Sequence, residues 1–188
     1  GSRPEALAGR LLVMAGGDQA VFDQQCALLK HLALEPKRMG AVGTGAASKL
    51  ALNQLIASLT HGYSLALRLL QAPGLDVERF MEVLRPSALY APTVDKKLKR
   101  MLTHDYSDPN FSTSLLRKDL NLFLREAGLA GLDAGGLEGL ACLLMRAEGT
   151  DLDAGDYSAL HELTAADPSF NLDTSGSVPS PDRQGHTP

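Results

Sequence analysis

From residue 46 to about residue 71 the chain runs without a proline and with a single glycine, Gly62, and this stretch constrains the fold more than any other. Thr44 stands where an N-cap is needed, and Pro73-Gly74 stops the run, so the pattern predicts one long helix. Leu50, Leu52, Leu55, Ile56, Leu59, Leu65, Leu67 and Leu69 occupy most of its surface. Along one line of that surface run Lys49, Asn53, Ala57, Thr60, Ser64 and Arg68. A helix that is apolar on most sides is expected to be buried, and a polar stripe on it must face a partner, a cavity or a cleft.

Shorter helices are predicted downstream over 77–85, 92–102, 112–127, 137–147 and 155–165. Pro86, the turn cluster 105–110, Gly128 and Gly149 separate them,. Upstream, residues 1–8 read as a polar turn, and Leu11-Leu12-Val13-Met14 as a strand closed by Gly16-Gly17,. Asp18 can cap a helix reaching about residue 34, with Val21, Phe22, Cys26, Leu29 and Leu32 on one face, and 37–42 reads as a second strand,. A strand, a helix and a strand cannot cover both faces of a parallel sheet, so more chain is expected before them. Beyond Asp167-Pro168 apolar residues nearly vanish, and 167–188 is expected to be disordered,.

Composition agrees with packed helices. Aromatic residues are 5 % of the chain and Trp is absent, too few for a typical sandwich of strands,. The net charge is −4 and the densest basic run, Lys96-Lys97 with Lys99-Arg100, lacks interleaved aromatics. It reads as a solvated helix face, and no nucleic-acid partner is expected. Cys26 and Cys142 each sit within an apolar helical pattern, where buried free thiols in a reducing, cytoplasmic setting are the simplest reading,. No run approaches a membrane span, and the five histidines lack ligand spacing, so neither membrane nor metal is expected,.

Chemistry concentrates at the start of the long helix. Lys49 and Asn53 are four residues apart and share a face,. The helix dipole disfavours a cation in the first turns, and partial burial would add to that, pushing Lys49 toward acid/base work. From spacing alone, the commoner arrangement is that Lys49 reaches out to solvent while Asn53 bonds a neighbouring loop.

The string GAVGTGAASKLALNQ, residues 40–54, resembles the motif G-x-x-G-x-G-x-x-x-K-x-x-x-N of the β-hydroxyacid dehydrogenases. That family includes 3-hydroxyisobutyrate dehydrogenases and tartronate, glyoxylate and succinic semialdehyde reductases. GSRPEALAGRLLVMAGGD at 1–18 resembles its substrate loop and following strand, FSTSLLRKDLNL at 111–122 its F-x₆-K-D-L stretch, and DYSAL at 156–160 with Glu162 its last-helix signature. The resemblance implies a mostly α fold, an all-helical dehydrogenase C-terminal domain around one long helix, preceded by a strand-helix-strand remnant of a Rossmann-like sheet. Residues 1–42 would end an incomplete NAD(P)-binding α/β domain, and 43–166 would form the substrate and dimerisation domain.

Carried onto this sequence, the resemblance implies that Lys49 is the catalytic acid/base. Asn53 would bind substrate, and Gly1 and Ser2 would hold its carboxylate, although Gly1-Ser2 is equally what an expression tag leaves behind. Lys118 would lie by the cofactor, NAD or NADP, with Asp119 in structural support and Phe111 packing the cleft. Asp156 reads as a helix cap. The implied substrate is a small 3-hydroxy acid or its semialdehyde, and the implied partner is a second copy, in a homodimer or homotetramer. No G-x-G-x-x-G turn opens a strand–helix unit here, so these residues are expected to bind the cofactor weakly and to be inactive alone. Leu65 stands where the family often has Glu, and Leu132-Asp133-Ala134-Gly135 replaces its usual Leu-Pro-Val-like entry to the penultimate helix. The competing reading is a non-catalytic dimerisation or binding module derived from that fold. Retention of Lys49, Asn53 and Lys118 favours the enzyme. An imine-reductase-like relative is disfavoured because that branch typically lacks the lysine.

Overall fold

The computed structural model describes residues 3–165; Gly1, Ser2 and the expected tail lie outside them. The chain opens on a short helix, α1 (Arg3–Leu7), where a turn was expected. Strand β1 (Met14–Gly16) pairs in parallel with β2 (Lys37–Gly40), Met14 opposite Lys37 and Ala15 opposite Arg38. Ordered pairing therefore starts three residues later than the apolar run, and Leu11 makes only an isolated bridge to Ala33. Between the strands lies α2 (Gln19–Leu29), and Asp18 caps it as expected, its Oδ1 accepting from the amides of Ala20 at 2.8 Å and Val21 at 3.2 Å. The helix ends at Leu29 rather than near residue 34, in turns that lead to Pro36. None of its residues is buried, as a two-stranded sheet with one helix requires,.

The helical body is built on α3 (Thr44–Gln71). Around it follow α4 (Val77–Leu84), α5 (Thr93–Thr103), α6 (Thr113–Leu129) and α7 (Gly135–Met145). The predicted helix 155–165 is broken. A short α8 (Asp151–Ala154), a 3-10 turn (Tyr157–Ala159) and α9 (Leu160–Leu163) replace it, because Asp156 caps the 3-10 turn through the amide of Ser158. Two apolar cores result. Leu116, Leu120, Leu140, Leu144 and Leu160 close one around Ala57 of α3, and Met81, Leu84, Val94, Leu98 and Met101 close the other around Leu67. One helix thus joins both, at roughly 1.5 Å of rise per residue between them.

Three expectations are corrected. Gly43, not Thr44, is the N-cap of α3; Thr44 is its first helical residue and its hydroxyl donates to the Ala41 carbonyl at 2.7 Å. Cys142 is exposed and Cys26 half-buried, since α7 turns Leu140, Ala141 and Leu144 inward and carries Cys142 outside that face. Lys97 is not solvated with its basic neighbours: its ammonium lies 2.6 Å from the Asp156 carboxylate, which has no exposed surface.

The largest departure concerns α3 itself. Its buried positions are Gly45, Asn53, Ala57, Thr60, Ser64 and Leu67, so the polar stripe faces inward. Leu52 and Leu55, each 48 % exposed, lie with Leu59, Leu65 and Leu69 on the open side. Small and polar side chains let α6 and α9 approach this helix closely, and the leucines are left exposed among the described residues. No helix among the described residues is long and apolar enough to cross a membrane.

Candidate active site

The glycines of residues 40–45 set where α3 begins. Gly43 sits at φ 94°, a left-handed conformation that a side chain would strain,. Gly45 does a different job: a Cβ there would fall 2.4 Å from the Met14 carbonyl oxygen, and one on Gly16 would fall 2.5 Å from that of Ala41. Backbone therefore packs on backbone, and the first turn of α3 is pinned to the end of β1. Lys49 follows one turn later.

Lys49 donates from Nζ to Oδ1 of Asn53 at 2.6 Å. The Asn53 amide nitrogen donates in turn to Oδ2 of Asp119 on α6, and the Lys118 ammonium lies 3.2 Å from the other carboxylate oxygen. The orientation of Asn53 follows from its neighbours, since an ionised carboxylate only accepts and an ammonium only donates. Four residues singled out in the sequence thus form one chain of contacts across the α3–α6 seam. Asn53 is 2 % exposed and Asp119 partly buried, while Lys49 and Lys118 are exposed at either end. The partial burial expected for Lys49 is not seen; only its neighbours at Gly45 and Asn53 turn toward β1 and α6. Nor does Asn53 bond a loop, its partners being two helical side chains.

Phe111 packs on the first core, its ring 5.9 Å from that of Tyr157 in an edge-on arrangement, and its carbonyl accepts from the Tyr157 amide at 3.0 Å. Gly1 and Ser2 lie outside the described residues. Further along the seam a cleft of about 600 Å³ opens between α3, α6 and the start of α7, lined by His61, Phe123 and Leu137 among others. Burial holds the His61 imidazole below its ordinary pKa. The far end of the polar stripe reaches a different place altogether. Arg68 donates to the His161 carbonyl at 2.6 Å and to the Thr164 hydroxyl at 2.8 Å, tying α9 to α3.

Two groupings escaped the sequence reading. Lys97 and Asp156 are one. Arg68, His104, Tyr106 and Glu162 are the other, and their wide separation in sequence leaves no spacing to recognise. Among the described residues no three His, Cys, Asp or Glu side chains gather as a metal site.

A family profile described as the NAD-binding domain of NADP-dependent 3-hydroxyisobutyrate dehydrogenase matches residues 43–164. The chain belongs to the 3-hydroxyisobutyrate dehydrogenase family. Relatives it matches include proteins named as 3-hydroxyisobutyrate dehydrogenase, glyoxylate/succinic semialdehyde reductase and 2-hydroxy-3-oxopropionate reductase, and also a cytokine-like nuclear factor of Drosophila melanogaster. Glyoxylate/succinic semialdehyde reductase 1 of Arabidopsis thaliana is 30 % identical over 124 residues, 66 % of this chain and 43 % of that protein. The 2-hydroxy-3-oxopropionate reductase of Escherichia coli is 32 % identical over 129 residues, 68 % of this chain and 44 % of that protein. The chain therefore spans less than half the length of these relatives. The 3-hydroxyisobutyrate dehydrogenase of Mycobacterium tuberculosis, solved with L-serine, superposes with a TM-score of 0.78 at 23 % identity, covering 87 % of this chain and 58 % of that one. That likeness establishes the fold of this family member: a helical body with a small parallel two-stranded remnant.

The family's nicotinamide cofactor fits these residues at one end only. Lys118 presents an exposed ammonium held by Asp119, suited to a phosphate or ribose oxygen,. The Gly16-Gly17 turn offers no comparable cradle, because the Ala41 carbonyl fills the space beside Gly16 and Asp18 already occupies the α2 N-terminus,.

Proposed function

We propose that this chain is the substrate-side portion of an NAD(P)-dependent oxidoreductase acting on a small 3-hydroxy acid or its semialdehyde, with Lys49 as acid/base. The observation that carries this reading is the convergence of Lys49, Asn53, Asp119 and Lys118 from two helices into one set of contacts. When bound, the cofactor supplies or accepts the hydride. Lys49 handles the proton: its ammonium gives one to the carbonyl oxygen as the C=O π bond becomes a C–H and an O–H bond, and its amine takes one back in the reverse direction. Its exposure lets solvent restore the proton. Asn53, held by Asp119, keeps an acceptor toward Lys49 and spares one edge of its amide for the substrate. Lys118 is assigned to the cofactor. Residues 43–166 are taken as the all-α substrate and dimerisation domain.

Lys49→Ala tests the assignment. Joined to a nucleotide-binding domain of the family, the protein is expected to reduce small semialdehydes, and the variant to lose about 10²–10⁴ in kcat with an unchanged circular dichroism spectrum. A variant with nearly full kcat removes Lys49 from the mechanism. The 188 residues alone are expected to bind NADH or NADPH weakly and to turn over nothing measurable; robust turnover by them would overturn the placement of the main cofactor site outside them.

We also infer a second copy as partner. Leu52, Leu55, Leu59, Gly62, Ala66 and Leu69 recur at alternating steps of three and four, the spacing with which one helix packs along another,. They lie roughly opposite the buried row. A self-complementary apolar stripe of this kind fits the same stripe of another copy across a two-fold axis.

A further inference from the structure

His161 is wholly buried at the start of α9, and neither of its ring nitrogens has a hydrogen-bond partner among the described residues. The groups around it are charged or titratable. From α3, Arg68 binds the His161 carbonyl and lies 3.6 Å from the Glu162 carboxylate. From the end of α5, the His104 ring stands 6.3 Å away, centre to centre, and contacts Glu162 at 2.6 Å. Tyr106, in the loop that follows, donates to the same Glu162 oxygen at 2.5 Å. From beyond α7, Arg146 donates to the Leu163 carbonyl at 3.2 Å.

We propose that the seat of α9 on α3 is a pH-sensitive latch: a proton gained by His161 sets an unpaired cation beside Arg68, and α9 lets go, taking Leu160 and Leu163 out of the first core, while the packing of α6 on α7 and the core around Leu67 stay folded. The one carboxylate within the cluster, Glu162, is already engaged by Arg68, His104 and Tyr106. A protonated imidazole at position 161 would thus have one more donor to satisfy and the Arg68 guanidinium beside it,. Release exposes the ring to water and removes both costs. The segment is short: α9 is four residues long, tied to α3 by the hydrogen bonds of Arg68 and to the first core by Leu160 and Leu163. Burial and the nearby Arg68 hold the imidazole down at about 4. Glu162 stays ionised in mild acid, because the hydrogen bonds from Tyr106 and His104 outweigh the upward push of burial.

Amide hydrogen exchange of the 188-residue chain reads this directly. With a pKa of about 4 when docked and 6.5 when free, the opening of segment 157–165 is expected to rise about 20-fold from pH 7 to pH 5, after correction for intrinsic exchange,. Amides in the middle of α6 should rise far less. His161→Leu should abolish the excess. Equal pH dependence in both segments, or an excess that survives in the variant, overturns the proposal. If the variant does not fold, the His161 proton resonance in the unaltered chain decides: a midpoint near 6.5 overturns it, and one near 4 supports it.

Discussion

Asp156 has no exposed surface, and its carboxylate is divided between two tasks. One oxygen accepts from the amide and hydroxyl of Ser158, at 3.1 and 2.7 Å, and the other meets Lys97 at 2.6 Å. The Lys97 ammonium also lies 4.5 Å from the centre of the Tyr157 ring. Removing one charge leaves the other buried and unpaired, a loss of about 3–5 kcal/mol in comparable pairs. Asp156→Asn keeps the cap and removes the charge, so urea denaturation should show a fall of that order, while Lys96→Gln on the exposed side should change almost nothing. If Asp156→Asn also changes stability little, the ion pair does not hold α5 to the 3-10 turn. The sequence allowed half of this to be read. A carboxylate two residues before Ser158 is recognisable as a cap. Lys97 was hidden in a basic run, although its place between Val94, Leu98 and Met101 puts it beside the buried face of α5. Lys49 was legible for the opposite reason. Its contact with Asn53 joins two residues at a fixed offset along one helix, and offsets survive in a one-dimensional string.

Helix α3 shows where periodicity helps and where it misleads. Its length and its stop at Pro73-Gly74 were plain, and so was the stripe from Lys49 to Arg68. Which side faced the rest of the chain was not, because an apolar surface is normally assigned to the interior. Here the interior row is Asn53, Ala57, Thr60 and Ser64, whose small volumes bring α6 and α9 near the helix axis. The leucine row faces outward, and Leu69 is 75 % exposed. If a second copy covers that row, a charge at its middle should separate the two. Leu59→Glu is expected to turn a concentration-dependent dimer into a monomer in sedimentation velocity, without loss of helicity, because Leu59 belongs to neither apolar core. A wild-type chain that remains monomeric at every concentration would leave the row without this partner. The strand-helix-strand portion was less legible at its edges. Ordered pairing needs a partner strand, and β2 meets β1 only from Met14 onward, so the apolar run at 11–13 does not mark the strand.

Over the whole molecule, acid should weaken folding in two stages, and the signs follow from which form each group prefers. His161 and His61 are both held below their ordinary pKa, mainly by burial, so the unfolded chain binds more protons than the folded one below about 6.5, for His161 down to about 4,. Stability therefore falls as the pH drops through that window and is fully present only above it. His161 alone, docked at about 4, corresponds to about 3 kcal/mol over the full range,. Glu162 is depressed as well, and its contribution is present above its unfolded value and disappears only as the pH falls below the usual carboxylate range. The histidine stage comes first and the carboxylate stage second. Urea midpoints measured at pH 7.5, 6, 5 and 4 should decline steadily, with most of the loss between pH 6 and 4.5. His161→Leu should flatten that decline and leave the remainder to His61, which lies in the cleft between α3, α6 and α7 and not under α9. A midpoint that holds constant from pH 7.5 to 4.5 would mean that both imidazoles reach water or an acceptor in the folded chain, and the buried side of α3 would then have to be more open at both ends than its packing indicates.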